Sequence, residues 1–257
     1  MQIEYRKWFS PALNQDMELK SYGEGGKPIL VFPTEEGRFF DFEDFGMVEA
    51  CREFIEAGHI RLFTVDSVDS QSWANDKLPP AQRVRRHEEY DRCIMNEVVP
   101  FIRRNSAVEH RKYFTLGASM GGYHAANFFF RRPDVFDGMI ALSALFQVRH
   151  FIGDYMDERV YFHSPLHYLA NLADDTYLDQ YRQSTIIACV GRGKWEAPML
   201  ADANALKNLL EEMNIPCWID IWGYDVDHDW VWWRKQLAYF LRHIFTPLPG
   251  GERPTRQ

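Results

Sequence analysis

The chain is 257 residues long and carries 29 Lys and Arg against 37 Asp and Glu, a formal net charge of −8. With 46% hydrophobic and 26% charged residues it has a globular composition rather than a disordered one, and its length suffices for a core without disulfides or metal. The acidic balance argues against nucleic acid or an anionic membrane surface as the main partner, because both are held by a basic face.

Short β-type runs alternate with longer helical patterns, the signature of a mostly parallel sheet covered by helices on both faces. Residues 3–8 and 17–22 alternate polar and apolar side chains and predict two antiparallel edge strands. Residues 28–32 form the first fully buried strand, ended by Pro33. The pattern over 44–57 predicts a helix stopped at Gly58, and 60–65 is the next strand. A loop with Ser72 and Trp73 follows, and Pro79-Pro80 opens a helix to about Arg104. On that helix Arg83-Val84-Arg85-Arg86-His87 reads as a solvated face.

A strand at 112–116 then turns sharply at Gly117 into a helix over 119–131, followed by a strand at 138–142. The segment 143–183, rich in Tyr, Phe, His and Asp, reads as an insertion over the C-terminal edge of the sheet, where α/β ligand sites form. A strand at 185–190, a helix at 199–213, a strand at 217–222 and a helix at 228–245 complete one expected domain, with 247–257 as a frayed tail. Cys51, Cys93, Cys189 and Cys217 lack CxxC spacing, so neither a zinc ribbon nor a disulfide scaffold is expected. No run approaches 18 apolar residues and no leader is visible. The cytoplasm is therefore the default compartment, with secretion open if a leader has been removed.

Gly117-Ala118-Ser119-Met120-Gly121 fits G-x-S-x-G, with Gly122 following. Three fixed positions of such common residues recur by chance in about one chain in ten of this length, so the setting matters more than the pattern. Here a strand ends at the motif and a helix begins, as the motif requires. Glycines without Cβ allow a turn tight enough to push the Ser119 hydroxyl above the sheet. The helix N-terminus then brings the Met120 N–H and a positive dipole beside a developing oxyanion.

A serine nucleophile needs a base. Of nine histidines, His228 alone falls in the loop between the last strand and the last helix, which gives the chain order serine, acid, histidine. The acid is expected after the strand 185–190, where Glu196 is the only carboxylate in the loop. Asp202, Asp225 and Asp227 are the other carboxylates in the region. The loop 34–37 after the first buried strand is expected to supply a second oxyanion donor through its backbone, although Glu35 and Glu36 make it unusually acidic. Asp225 to Asp229 resemble the start of a calcium loop but lack its glycine and closing glutamate, and Pro165 spoils His163 and His167 as a helical metal pair. Trp230, Trp232 and Trp233 read mainly as packing for the last helix.

These residues resemble the esterase D-type esterases of the α/β-hydrolase superfamily, a group with S-formylglutathione hydrolases, feruloyl and enterochelin esterases and mycolyltransferases. The resemblance runs from about Pro28 to Phe245. It rests on Gly117 to Gly122, on Gly191-x-Gly193 with Glu196, on His228-Asp229-Trp230 with Trp233, and on Ser72-Trp73. It implies an α/β-hydrolase fold and a Ser119, His228, Glu196 triad, with Met120 and Glu35 as oxyanion donors and no cofactor. The Glu35-Glu36 pair departs from the small or apolar residues of the group. Trp73, Phe146, Trp195 and Trp230 are candidate pocket residues, with Tyr155 and Tyr161 in the insertion. The expected activity is ester hydrolysis through an acyl-enzyme on a small-molecule ester. Acyl transfer by the same triad and a non-catalytic binding protein are the alternatives, and a homo-oligomer is possible.

Overall fold

The computed structural model describes residues 1–106 and 112–246, so the predicted tail at 247–257 lies outside the described residues. Eight strands form one sheet in the order β1-β2-β4-β3-β5-β6-β7-β8. They are β1 (Ile3–Ser10), β2 (Gln15–Tyr22), β3 (Lys27–Phe32), β4 (Ile60–Val65), β5 (Tyr113–Ala118), β6 (Phe136–Leu142), β7 (Thr185–Val190) and β8 (Trp218–Ile221). β1 and β2 pair antiparallel, β2 also runs antiparallel to β4, and every later pair is parallel.

The inner parallel strands are buried along nearly their whole length, as a sheet covered on both faces demands. Their alternate side chains feed two separate cores. Leu30, Phe32, Phe63, Val65, Met139 and Ala141 face one side, where they pack with Tyr90, Phe128 and Leu206 of the helices Pro80–Cys93, Met120–Arg131 and Ala197–Glu212. Ile29, Val31, Leu62, Leu116, Ile140 and Leu142 face the other, against Met47 and against Trp233, Leu237 and Phe240 of the helix Trp230–Phe245. The Met120–Arg131 helix is buried on every side except at Arg131, which explains its lack of a polar face.

The predicted strands all form, with ends shifted by a few residues, and two helical expectations are corrected. Residues 44–57 are not one helix but part of three short segments, Asp41–Asp44, Met47–Ala50 and Arg52–Glu56. Gly46, at φ 77°, breaks the first from the second. The long helix after Pro79 does reach Arg104, through a wide turn at Ile94–Val98 that precedes Pro100, which has no N–H for the ladder. The stretch read as a solvated face is only partly so, with Arg85 exposed, Arg86 half-buried and the rest buried. Arg83 is 6% exposed and donates to the carbonyls of Ser72 (3.1 Å) and Phe151 (2.8 Å), while His87 is fully buried. The segment 143–183 folds into four helices, Arg149–Ile152, Glu158–Tyr161, Pro165–Leu169 and Asp175–Arg182.

Buried histidines crowd the seam between these helices. The Asn127 amide donates to His163 Nδ1 (3.1 Å) and His87 Nε2 (3.4 Å), so both rings act as acceptors. Burial, helped by Arg131 and the neighbouring imidazoles, pushes the pKa of both rings well below the usual histidine value. A depressed imidazole pKa favours the neutral ring in the folded state. Its stabilisation is complete above the unfolded value near 6.5 and is lost as the pH falls through and below it. Urea unfolding free energy is therefore expected to be flat from pH 8 to 7. Below pH 6.5 it should fall by up to about 1.4 kcal/mol per pH unit for each ring. A flat profile down to pH 5 would contradict this account.

Candidate active site

The strand order reverses direction between β3 and β5, and α/β sheets open a crevice at the carboxyl ends of strands at such a point. Ser119 stands at that end, the single residue between β5 and the Met120–Arg131 helix, with φ 55° and ψ −124°. A side chain at positive φ is strained, and the surroundings hold it there. The Ser119 N–H donates to the Leu142 carbonyl (2.8 Å), and its own carbonyl accepts from the Tyr123 N–H (3.1 Å). Two glycines make the turn possible. A Cβ on Gly117 would lie 2.2 Å from the backbone of Gly121, and one on Gly121 would lie 2.4 Å from the Phe32 carbonyl oxygen.

His228 and Glu196 arrive on two loops that are fastened together. Arg192 N–H donates to the Gly223 carbonyl (3.0 Å), Gly193 N–H to that of Val226 (2.9 Å), and His228 N–H to that of Lys194 (3.1 Å). The Lys194 N–H donates to Asp227 Oδ1 at 2.7 Å. This contact needs Gly191 and Gly193, whose Cβ atoms would stand 2.0 Å from the Val226 oxygen and 2.2 Å from Asp227 Oδ1.

The three predicted residues lie together. His228 Nε2 is 2.9 Å from Ser119 Oγ, and its Nδ1 faces Glu196 Oε2 at 3.5 Å. The second separation is long for a hydrogen bond, and neither atom has another partner. Such pairs commonly tighten when substrate binds. Glu196 is fully buried, and its Oε1 accepts from Ser143 Oγ at 2.6 Å. Ser143 Oγ in turn accepts from Trp233 Nε1 at 2.9 Å, and the Trp233 ring meets the His228 ring edge-on at 4.9 Å. Of the other carboxylates of the region, Asp225 is exposed to solvent, and Asp202 and Asp227 are engaged elsewhere. Asp202 accepts from Phe146 N–H and the Gln147 amide, both at 2.7 Å, and Asp227 caps Lys194.

Residues 12–244 match the family model Esterase, described as "Putative esterase". The chain belongs to the Esterase family. As a member it is an esterase by family. Solved structures share the α/β-hydrolase fold at low identity. A ferulic acid esterase is 16% identical over 95% of this chain and 97% of its own, with a TM-score of 0.74. An S-formylglutathione hydrolase from Staphylococcus aureus is 17% identical over 95% and 97%, with a TM-score of 0.70. MPT51 from Mycobacterium tuberculosis is 15% identical over 92% and 96%, with a TM-score of 0.67. No curated protein matches the sequence. Among the described residues no helix is long and apolar enough to cross a membrane.

Beside Ser119, Met120 is the first helical residue, so its amide has no partner within the helix. Glu35 follows two residues after Pro33, whose carbonyl packs against Gly121. The Glu35 residue is exposed, yet partial burial of its carboxyl raises the pKa, with Asp69 and Glu36 adding to the shift. The four candidate pocket residues part company. Trp73 and Phe146 are 0% and 1% exposed; neither reaches an open surface, which corrects their placement as pocket lining. Trp73 instead packs in a small cluster with Met120, Val84 and Tyr123, and Phe146 belongs to the main core. Trp195, beside Glu196, is 79% exposed and held at φ 62°. Trp230 is half-buried and stacks on Phe45 with ring centres 4.5 Å apart. In the 143–183 segment Tyr155 is exposed and Tyr161 half-buried.

Sequence reasoning passed over Ser143. A lone serine after a strand carries no pattern, and only its place at the carboxyl end of β6, beside the strand that leads to Glu196, could have drawn notice.

Proposed function

We propose that this esterase cleaves its substrate through an acyl-enzyme on Ser119. His228 Nε2 takes the proton of Ser119 Oγ as that oxygen attacks the ester carbonyl, and returns it to the departing alcohol. Glu196, reached by His228 Nδ1, selects the tautomer with the proton on Nδ1 and offsets the charge of the imidazolium. The bond from Ser143, itself fixed by Trp233 Nε1, holds that carboxylate in place. The amide of Met120, with that of Glu35 opposite, receives the oxyanion at the positive end of the helix. Water activated by the same histidine then releases the acid. No cofactor takes part in this reading, which treats 1–257 as one domain with 143–183 lying over the site.

The observation that carries the reading is the 2.9 Å contact of His228 Nε2 with a serine oxygen displayed on a strained strand-to-helix turn. A protein that only binds ligands has no need of either. Intact-mass measurement after fluorophosphonate treatment tests it. The native chain should gain one adduct, and Ser119→Ala none. A folded native chain that stays unlabelled would refute an activated serine.

A further inference from the structure

β1 is the outermost strand of the sheet, with β2 on one side and no strand on the other among the described residues. The Gln2 carbonyl accepts from the Gly23 N–H at 2.9 Å, and the register pairs Glu4 with Ser21, Arg6 with Leu19 and Trp8 with Met17. Hydrogen-bonded pairs alternate along an antiparallel ladder, so the even-numbered residues direct their backbone groups at β2. Ile3, Tyr5, Lys7 and Phe9 therefore turn theirs to the open edge. The side chains of the same residues are also uncovered, with Ile3 47%, Tyr5 46% and Phe9 58% exposed. The alternation that marks this strand in the sequence thus presents its apolar half to solvent. Edge strands are usually blunted by charge, proline, a bulge or brevity; β1 carries Glu4, Arg6 and Lys7 but runs eight residues with no proline and no shift in register.

We propose that β1 pairs antiparallel with β1 of a second copy of this chain, about a two-fold axis at Tyr5, joining the two sheets edge to edge. The charges on the strand select that register. Two-fold pairing that sets outward-bonding residues opposite one another must be centred on a residue. Centring on Glu4, Arg6 or Lys7 places like charges directly across the axis, at a cost. Centring on Ile3 or Trp8 opposes no charges at all. Centring on Tyr5 alone sets Glu4 against Arg6 of the partner subunit, and Arg6 against Glu4 of the partner subunit. Within one chain Arg6 Nη2 already lies 3.3 Å from Glu4 Oε2, so association exchanges one carboxylate for another. Four strand spacings, about 19 Å, separate β1 from β5. The pairing leaves each Ser119 on its own subunit.

Sedimentation equilibrium across the micromolar range, with circular dichroism to verify folding, tests this. The native chain should sediment as a dimer. Glu4→Arg and Arg6→Glu each set like charges across the axis and should weaken association about tenfold or more, while the double exchange should restore it. Tyr5→Cys should cross-link to its own copy under mild oxidation, since opposed residues lie about 5.5 Å apart at Cα, and Phe9→Cys should not. A native chain that stays monomeric, or a dimer indifferent to the single charge reversals, would overturn the proposal. So would a double exchange that fails to recover.

Discussion

Ser119→Ala and His228→Ala are each expected to lower kcat on the order of 10⁶-fold, and the double variant is expected to be no worse than either one. An unassisted serine hydroxyl is a poor nucleophile near neutral pH, and its attack becomes feasible only as the imidazole accepts the proton. With the two atoms at 2.9 Å, removing either partner removes the same event. Residues that act as a unit therefore lose their value together, and the losses do not add. Steady-state kinetics on a simple aryl ester, with the fold monitored by circular dichroism, measures this. If His228→Ala keeps a tenth of the native rate, another base serves Ser119 and the proposed roles fail. If the double variant loses the product of the single effects, the two residues work independently, which the geometry does not allow.

Gly117→Ala is expected to cost at least about 3 kcal/mol of stability or to prevent folding. The added Cβ would lie 2.2 Å from both the carbon and the oxygen of Gly121. No rotamer change relieves such a clash, because the obstacle is backbone. Relief would have to come from moving the helix off β5, and that helix is buried on nearly every side. Gly25→Ala is the matched control. Nothing lies within 4 Å of its Cβ, and its effect should stay within about 0.5 kcal/mol. Urea denaturation of the two variants reads the contrast directly. A Gly117→Ala protein as stable as the native chain would show that the turn tolerates a side chain and that the glycine serves some other end.

Much of this protein was legible in its residues, for local physical reasons. Buried parallel strands must be apolar on both faces, so β3, β5 and β7 announced themselves as short continuous runs. A glycine is needed wherever backbones touch, so Gly117-x-Ser119-x-Gly121 and Gly191-x-Gly193 marked two places where the chain must pass close to itself. The order of strand, loop and helix then singled out His228 and Glu196 without any distance in hand.

What the sequence could not decide was which side chains face a neighbour and which face water. The helical stripe Arg83 to His87 looked solvated because charged residues usually are. Arg83 alone of its three arginines is buried, because the carbonyls of Ser72 and of the distant Phe151 come to meet it. Trp73 was singled out by the resemblance of Ser72-Trp73 and Phe146 by the aromatic segment 143–183, yet tertiary packing buries both. Ser143 carries no pattern at all, and it matters only because β6 and β7 bring it within 2.6 Å of Glu196. On β1 the alternation was plain in the sequence, but only its position at the end of the strand order showed that the apolar half looks outward. Periodicity and glycine placement are properties of neighbouring residues, and a sequence records them. Burial and partnership depend on contacts between distant segments, so the folded chain alone decides them.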